Sequence, residues 1–220
     1  VERFLPFVLL IVIFLLSFPT EIYRDFIVNK AMAKIKSRKD LMVIAVTGSY
    51  GKSSTKEFLA QILSKKYEVL YTKGTNNTPI GIANTILNGL TDEIEIFVVE
   101  MGAYKRGEIA EMCQIVHPKI SILTAVNDQH LSLFKTLENT KKAKYEIIEA
   151  LPKDGIGLFN GNNKHVRDLF DKTKKKKVLY YKKMSSSDNT SADAIADRVR
   201  GRKDGVEFDV IIAGKRYHFA

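Results

Sequence analysis

Gly48, Gly51, Lys52 and Ser53 follow one another in the pattern T-G-x-x-G-K-S, directly after the apolar run MVIAV at 42–46. A strand, a glycine turn and a helix opening at Lys52 make an anion site. Backbone N–H groups of Gly48, Ser49 and Gly51 can wrap a phosphate, Lys52 can reach the β and γ oxygens of ATP, and the Ser53 hydroxyl can ligate Mg²⁺, with Ser54 beside it. The longer loop G-x-x-x-x-G-K-[ST] would need glycine where Val46 stands, so the spacing is that of a shorter form. A Gly-Lys-Ser alone often only begins a helix; the strand before it and the second glycine favour a phosphate here.

Phosphoryl transfer depends on positioning and charge neutralisation, which asks for further oxygen ligands to Mg²⁺ beside a lysine. Glu100 ends the apolar run IFVV at 96–99, so its carboxylate belongs at the carboxyl edge of a strand near the loop. The plain alternative is a capping or salt-bridged surface acid. His130 comes after another strand, behind Asn127 and Asp128, and a lone histidine is usually a surface or core residue. Lys141, Lys142 and Lys144 taken alone read as a solvated helix face. Asn160 follows a strand in LFNGNN, while Asn77 and Thr78 lie in TNNTPIG, where Asn-Asn before Pro79 also marks a turn.

Short runs rich in β-branched residues alternate with helical patterns and supply the frame for these groups. The runs are MVIAV (42–46), YEVLY (67–71), IFVV (96–99), ISILTA (120–125), IGLF (156–159) and KVLYY (177–181). Residues 52–65 place Phe58, Leu59, Ile62 and Leu63 on one helical stripe, and residues 137–151 do the same with Ala143, Ile147, Ile148 and Leu151. Strands separated by helices imply right-handed βαβ units. The expected class is therefore α/β, P-loop-containing, with a mostly parallel sheet flanked by helices and ligands at the carboxyl ends of the strands. The stretch 184–192 (MSSSDNTSA) reads as a polar loop, and 199–219 as strands joined by Asp-Gly and Ala-Gly-Lys turns.

The chain of 220 residues carries a formal charge of +10, all of it accounted for by two stretches. Residues 172–183 hold seven lysines and no acid, which reads as a solvated loop, and residues 1–40 hold seven basic and four acidic residues. The rest is neutral. With no RNP-type aromatic motif and no zinc-finger spacing, nucleic acid is not an expected partner. Cys113 is the single cysteine, which excludes an internal disulfide and fits a reducing compartment. The fifteen residues from Phe4 to Phe18 carry no charge, against the about 20 apolar residues that a bilayer core requires. Basic residues follow at Arg24, Lys30, Lys34, Lys36, Arg38 and Lys39. A transmembrane helix with a basic juxtamembrane segment is expected over 1–40, with the domain 41–220 on the cytoplasmic face of the cell membrane. A secretory signal is the alternative, but no small-x-small site follows Ser17.

Four segments in order carry a more specific likeness: TGSYGKSST, NNTPIG, EMGAYKRGEIAEM and NDQHLSLFKTLENTKKAKYEI. Together they resemble the central ATPase domain of the Mur ligases, from about Leu41 onward. The resemblance implies an ATP- and Mg²⁺-dependent amide ligase of peptidoglycan precursor synthesis. Its partners would be a UDP-linked muramoyl peptide and an amino acid or dipeptide such as D-alanyl-D-alanine. By the same resemblance His130 is a second-metal ligand, Lys144 is carbamylated so that its new carboxylate bridges a metal, and Asn160 contacts adenosine. Asn77 and Thr78 then belong to a substrate-side loop. Asn162 stands where that family usually has aspartate. A soluble UDP-binding domain and an amine-receiving domain have no counterpart in the sequence, so a piece cut short at both ends is expected. Another ligase of this superfamily with a different acceptor is the near rival. A membrane-tethered nucleotide switch is the distant one, and a switch has no need of His130, Lys144 or the TNNTPIG loop.

Overall fold

The computed structural model describes residues 5–127, 134–185, 187–188, 190–203 and 205–219, with side chains throughout except at 5, 6 and 10–18. Helix α1 (Leu5–Ser37) leads into β1 (Met42–Thr47), α2 (Lys52–Leu63), β2 (Val69–Tyr71), α3 (Pro79–Gly89), β3 (Ile96–Glu100), α4 (Glu108–Val116) and β4 (Ile120–Leu123). Next come α5 (Leu137–Glu149), β5 (Ile156–Asn160), α6 (Lys164–Lys172) and β6 (Lys177–Lys182). A meander of β7 (Ala194–Arg202), β8 (Gly205–Ile212) and β9 (Lys215–Phe219) follows. The sheet order is β2-β3-β1-β4-β5-β6-β7-β8-β9. Neighbours from β2 through β7 pair in parallel, and β7–β8 and β8–β9 pair antiparallel. The expected mostly parallel α/β class holds.

The central strands read as continuous apolar runs because both of their faces are covered. On one face Val43, Ala45, Phe97, Val99, Leu123 and Phe159 pack with Ile82 and Ile86 of α3, Ile109 and Met112 of α4, and Ile147 and Ile148 of α5. On the other, Ile44, Val46, Ile96, Val98 and Ile122 meet Leu59 and Leu63 of α2. The chain leaves β1 toward β3 and β2, then returns to β4 on the opposite side. That reversal opens a crevice beyond the carboxyl ends of β1 and β4, where ligands of such sheets bind.

The described residues do not support the transmembrane helix expected at the N-terminus. Among the described residues no helix is long and apolar enough to cross a membrane. The uncharged stretch stops at Phe18, and the same helix continues through Pro19 past Glu21, Arg24 and Asp25. Its later turns belong to the body, since Ala31 and Ile35 are buried in the main core. Three of the basic residues that follow the apolar run have protein partners on α3, on α4 and in the loop after α3. Lys34 Nζ donates to the carbonyls of Ile86 (3.2 Å) and Leu87 (3.1 Å) near the end of α3. Arg38 donates to the carbonyls of Thr91 and Ile94, and Arg24 pairs with Glu111 on α4. Cations at helix C-termini satisfy orphan carbonyls and complement the macrodipole. Two lysines of the run at 172–183 are used likewise: Lys175 donates to the carbonyls of Glu149 and Leu151 at the end of α5, and Lys177 to that of Phe170 at 2.7 Å.

Candidate functional site

The loop leaving β1 lies in the crevice because two of its residues are glycines. Gly48 has φ +156°, and a Cβ there would stand 2.0 Å from Thr124 Oγ1 and 2.9 Å from Ala125 N, so only glycine lets the loop lie against the segment after β4. Gly51, at φ +78°, turns the chain into α2 as its N-cap. Thr124 secures this contact: its hydroxyl donates to the Tyr50 carbonyl at 2.6 Å, and its own N–H donates to the Thr47 carbonyl at 3.0 Å. The Ser49 N–H, expected to face a phosphate, donates instead to the Ala125 carbonyl at 2.7 Å. Lys52 curls over the loop, with Nζ 2.9 Å from the Gly48 carbonyl. Ser53 and Ser54 are exposed on the first turn of α2.

Glu100 sits beside this loop, because the parallel register pairs it with Val46 near the end of β1. It is 2% exposed. Its backbone N–H donates to Thr72 Oγ1 at 3.0 Å, and its Oε1 accepts from Asn77 Nδ2 at 3.2 Å. Oε2 accepts no hydrogen bond although it is buried. A buried carboxylate oxygen without a donor suits a cation. Among the described residues no cluster of three or more His, Cys, Asp or Glu could hold a metal. Mg²⁺ needs none, since it is usually held by one or two carboxylates together with substrate phosphates and water. Glu100 and the Ser53 hydroxyl fit that donor set.

Lys144 on α5 is 5% exposed and lies 5.8 Å from the Phe134 ring centroid. Burial first, and the charge of Lys52 second, lower its pKa to about 8. The structure thus brings Lys144 within electrostatic reach of the phosphate-loop lysine. Its neighbours differ: Lys142 is exposed, and Lys141 pairs with Glu138 and Asp168. His130 lies outside the described residues. Asn160 ends β5 and donates from Nδ2 to the Thr124 carbonyl at 2.8 Å, so its amide braces the crevice wall. Asn77 joins Glu100, and its carbonyl accepts from the Gly102 N–H at 3.0 Å. Thr78 caps α3, its hydroxyl oxygen accepting from Gly81 N at 3.3 Å, with Pro79 in the first turn. The turn expected in TNNTPIG is present at its start, where the Asn76 N–H donates to the Lys73 carbonyl at 3.2 Å, and it leads into the helix start at Thr78.

Several residues of the site escaped the sequence. Lys56 reads as one more charge on an amphipathic helix, yet it is 1% exposed against Glu100. Its spacing of four from Lys52, on the same helical face, is the signal that could have found it. Asn163 caps α6 by accepting from Val166 N, and its Nδ2 donates to the Val126 carbonyl at 3.1 Å, which ties α6 to the crevice. Glu146, two residues from Lys144, accepts from the N–H groups of Gly107 (2.7 Å) and Ala110 (3.1 Å) at the start of α4. No local pattern announces either role.

Residues 46–220 match the Mur ligase middle domain. The chain belongs to this family. A UDP-N-acetylmuramoyl-tripeptide–D-alanyl-D-alanine ligase of Escherichia coli K12 is 39% identical over 131 residues, covering 60% of this chain and 29% of that protein. The ligase of the same name from Rickettsia prowazekii is 29% identical over 184 residues, covering 80% of this chain and 41% of its own length. Among solved structures, MurF ligase from Thermotoga maritima in complex with ADP superposes with TM-score 0.76 at 27% identity, covering 89% of this chain and 43% of that one. MurF from Acinetobacter baumannii, at 24% identity and TM-score 0.75, shows the same fold. This Mur ligase middle domain thus spans less than half the length of each of these four relatives.

Proposed function

We propose that this Mur ligase middle domain is the ATP-activating part of an amide ligase of peptidoglycan precursor synthesis. The acceptor carboxylate belongs to a UDP-linked muramoyl peptide, and the amine to D-alanyl-D-alanine. ATP and UDP-linked substrates set the reaction in the cytoplasm. The observation that carries the reading is the phosphate loop packed against β4, with Lys52, the buried Glu100 and the buried Lys144 around one crevice. The names of the E. coli and R. prowazekii relatives support the choice of substrates.

In this reading the N-terminus of α2 and Lys52 take the β and γ oxygens of ATP, releasing Lys52 from the Gly48 carbonyl. The acceptor carboxylate attacks the γ-phosphorus, ADP leaves, and the amine then displaces phosphate from the acyl group. When bound, Mg²⁺ neutralises charge developing on the phosphates, and Glu100 with Ser53 would hold it. Lys144, as its carbamate, supplies a carboxylate that a lysine cannot. Asn77 orients Glu100 and, with Thr78, borders the acceptor side. His130 is proposed as a ligand of a second metal, and Asn160 as the adenosine contact.

A chimaera tests this. Residues 24–220, which keep the turns of α1 that pack on the body, replace the corresponding region of the E. coli relative, and mass spectrometry follows UDP-linked product and ADP. Product that disappears with Lys52→Ala is expected. ADP released without any amide product, in a chimaera with native circular dichroism, would favour the nucleotide switch.

A further inference from the structure

Lys56 lies one helical turn beyond Lys52 on α2, with its ammonium enclosed. A buried cation requires counter-charge and acceptors. Its Nζ has three oxygens around it: Glu100 Oε2 at 3.4 Å, Glu57 Oε1 at 3.3 Å and the Gly74 carbonyl at 3.3 Å. These oxygens are not equivalent. Glu57 keeps 41% of its side chain in solvent, where an ion pair contributes little. Gly74 belongs to the segment leading to Asn77, so this contact ties α2 to the acceptor side. Glu100 is buried, its Oε1 is taken by Asn77, and its Oε2 accepts no hydrogen bond. The 3.4 Å separation exceeds the ~2.7–2.9 Å of a charge-assisted hydrogen bond. The ammonium therefore neutralises Oε2 without a directed bond, and the oxygen keeps its lone pairs.

We infer that Lys56 is a positioning residue, the resident counter-ion of Glu100, which compensates the acid until a divalent cation arrives and competes with that cation for Oε2. This rests on the reading of Glu100 as the metal-binding acid. The consequence is functional. A buried carboxylate with no counter-ion would retain a metal tightly; one already compensated binds it weakly, so that Mg²⁺ enters with the nucleotide phosphates and leaves with them. Lys56 also joins the phosphate-loop helix, the end of β3 and the Lys73–Asn77 segment into one unit, coupling both substrate sides to the acid.

The test uses the 220-residue chain with ADP and Mn²⁺ as the probe, following manganese binding by electron paramagnetic resonance and melting by circular dichroism. Lys56→Met, nearly equal in length and uncharged, is expected to tighten Mn²⁺ at least tenfold. It should also melt lower without metal and gain more from Mn²⁺ than the native chain does. Lys56→Arg keeps the cation and should stay within about threefold of native affinity. In a Glu100→Gln background, where there is no charge to compensate, Lys56→Met should change Mn²⁺ affinity less than twofold. Lys56→Gln repeats the measurement if Lys56→Met does not fold. Unchanged or weaker Mn²⁺ binding in the uncharged variants overturns the inference, as does tightening that persists with Glu100→Gln. If Glu100→Gln alone leaves Mn²⁺ affinity unchanged, or the native chain binds none, Glu100 is not the metal acid and the underlying reading fails first.

Discussion

Burial makes two lysines of this domain chemically unlike the thirty-odd basic residues around them. Lys144 is the one whose protonation is measurable. Its pKa of about 8, set by burial and by the Lys52 charge, leaves about half of its amine neutral at pH 8 and about a tenth at pH 7. Only the neutral amine attacks CO₂; the N–C bond forms, the amine loses a proton to solvent, and a carboxylate remains. With ¹³C-bicarbonate, a carbamate resonance should therefore grow between pH 7 and 9 and be absent in Lys144→Met, while Lys142→Met keeps it. A resonance that appears only near pH 10.5, the range of an ordinary lysine, would show that the site does not depress this amine. Cys113, by contrast, is pushed up to about 12 by burial and then by the Glu146 charge, so its thiol stays protonated and unreactive.

Elements decide whether these residues meet. The phosphate loop approaches β4 through Gly48, and Gly48→Ala forces a Cβ onto Thr124 Oγ1 and the Ala125 backbone. Nucleotide binding should fall at least tenfold in that variant by calorimetry, and Ser54→Ala on the exposed first turn should matter far less. Helix α1 is tested separately. Ile35 is 5% exposed in the core, so Ile35→Ala should cost ~2–5 kcal/mol in urea unfolding. A change within the ~0.5 kcal/mol typical of surface sites would mean that α1 does not pack on the body as described. Legibility follows the range of the signal. The strands at 42–46, 96–99 and 120–125 could be read because double burial writes a continuous apolar run, and α2 and α5 because their stripes are long. Helices α3, α4 and α6 have only nine to eleven residues each, too few turns for an apolar stripe to stand out against the loops around them. The partners of Lys34 and Arg38 were not legible for a different reason: a basic cluster after an apolar run looks the same whether or not it reaches the carbonyls around Ile86 and Thr91. Lys52 and Glu100 could be singled out because motif spacing and strand ends are local, and Lys144 because of the resembled motif, whereas the partnerships of Lys56 and Thr124 are long-range and exist only in the fold.

The whole molecule has a covered half and an open one. Helix α2 shields β1, β2 and β3, but on the meander Val206, Phe208, Val210, Ile212, Tyr217 and Phe219 share one face by strand alternation and register. Val206, Ile212, Tyr217 and Phe219 are exposed. The opposite face is satisfied by charge, with Asp209 bonded to Arg216 at 2.7 Å and to His218 at 2.9 Å. Such a patch favours association. Sedimentation should show the chain self-associating, with Val206→Ser and Tyr217→Ser together reducing it; a native monomer at high concentration would contradict this. The central claim is that the crevice between β1 and β4 is where ATP is activated, and nuclear magnetic resonance of the chain titrated with Mg·ADP tests it most directly. The amides of Gly48, Gly51, Lys52 and Ser53 should shift together and saturate, and Lys52→Ala should abolish the response while leaving the remaining spectrum native. Shifts confined to other surfaces, or a Lys52→Ala protein that responds like the native one, would contradict the claim.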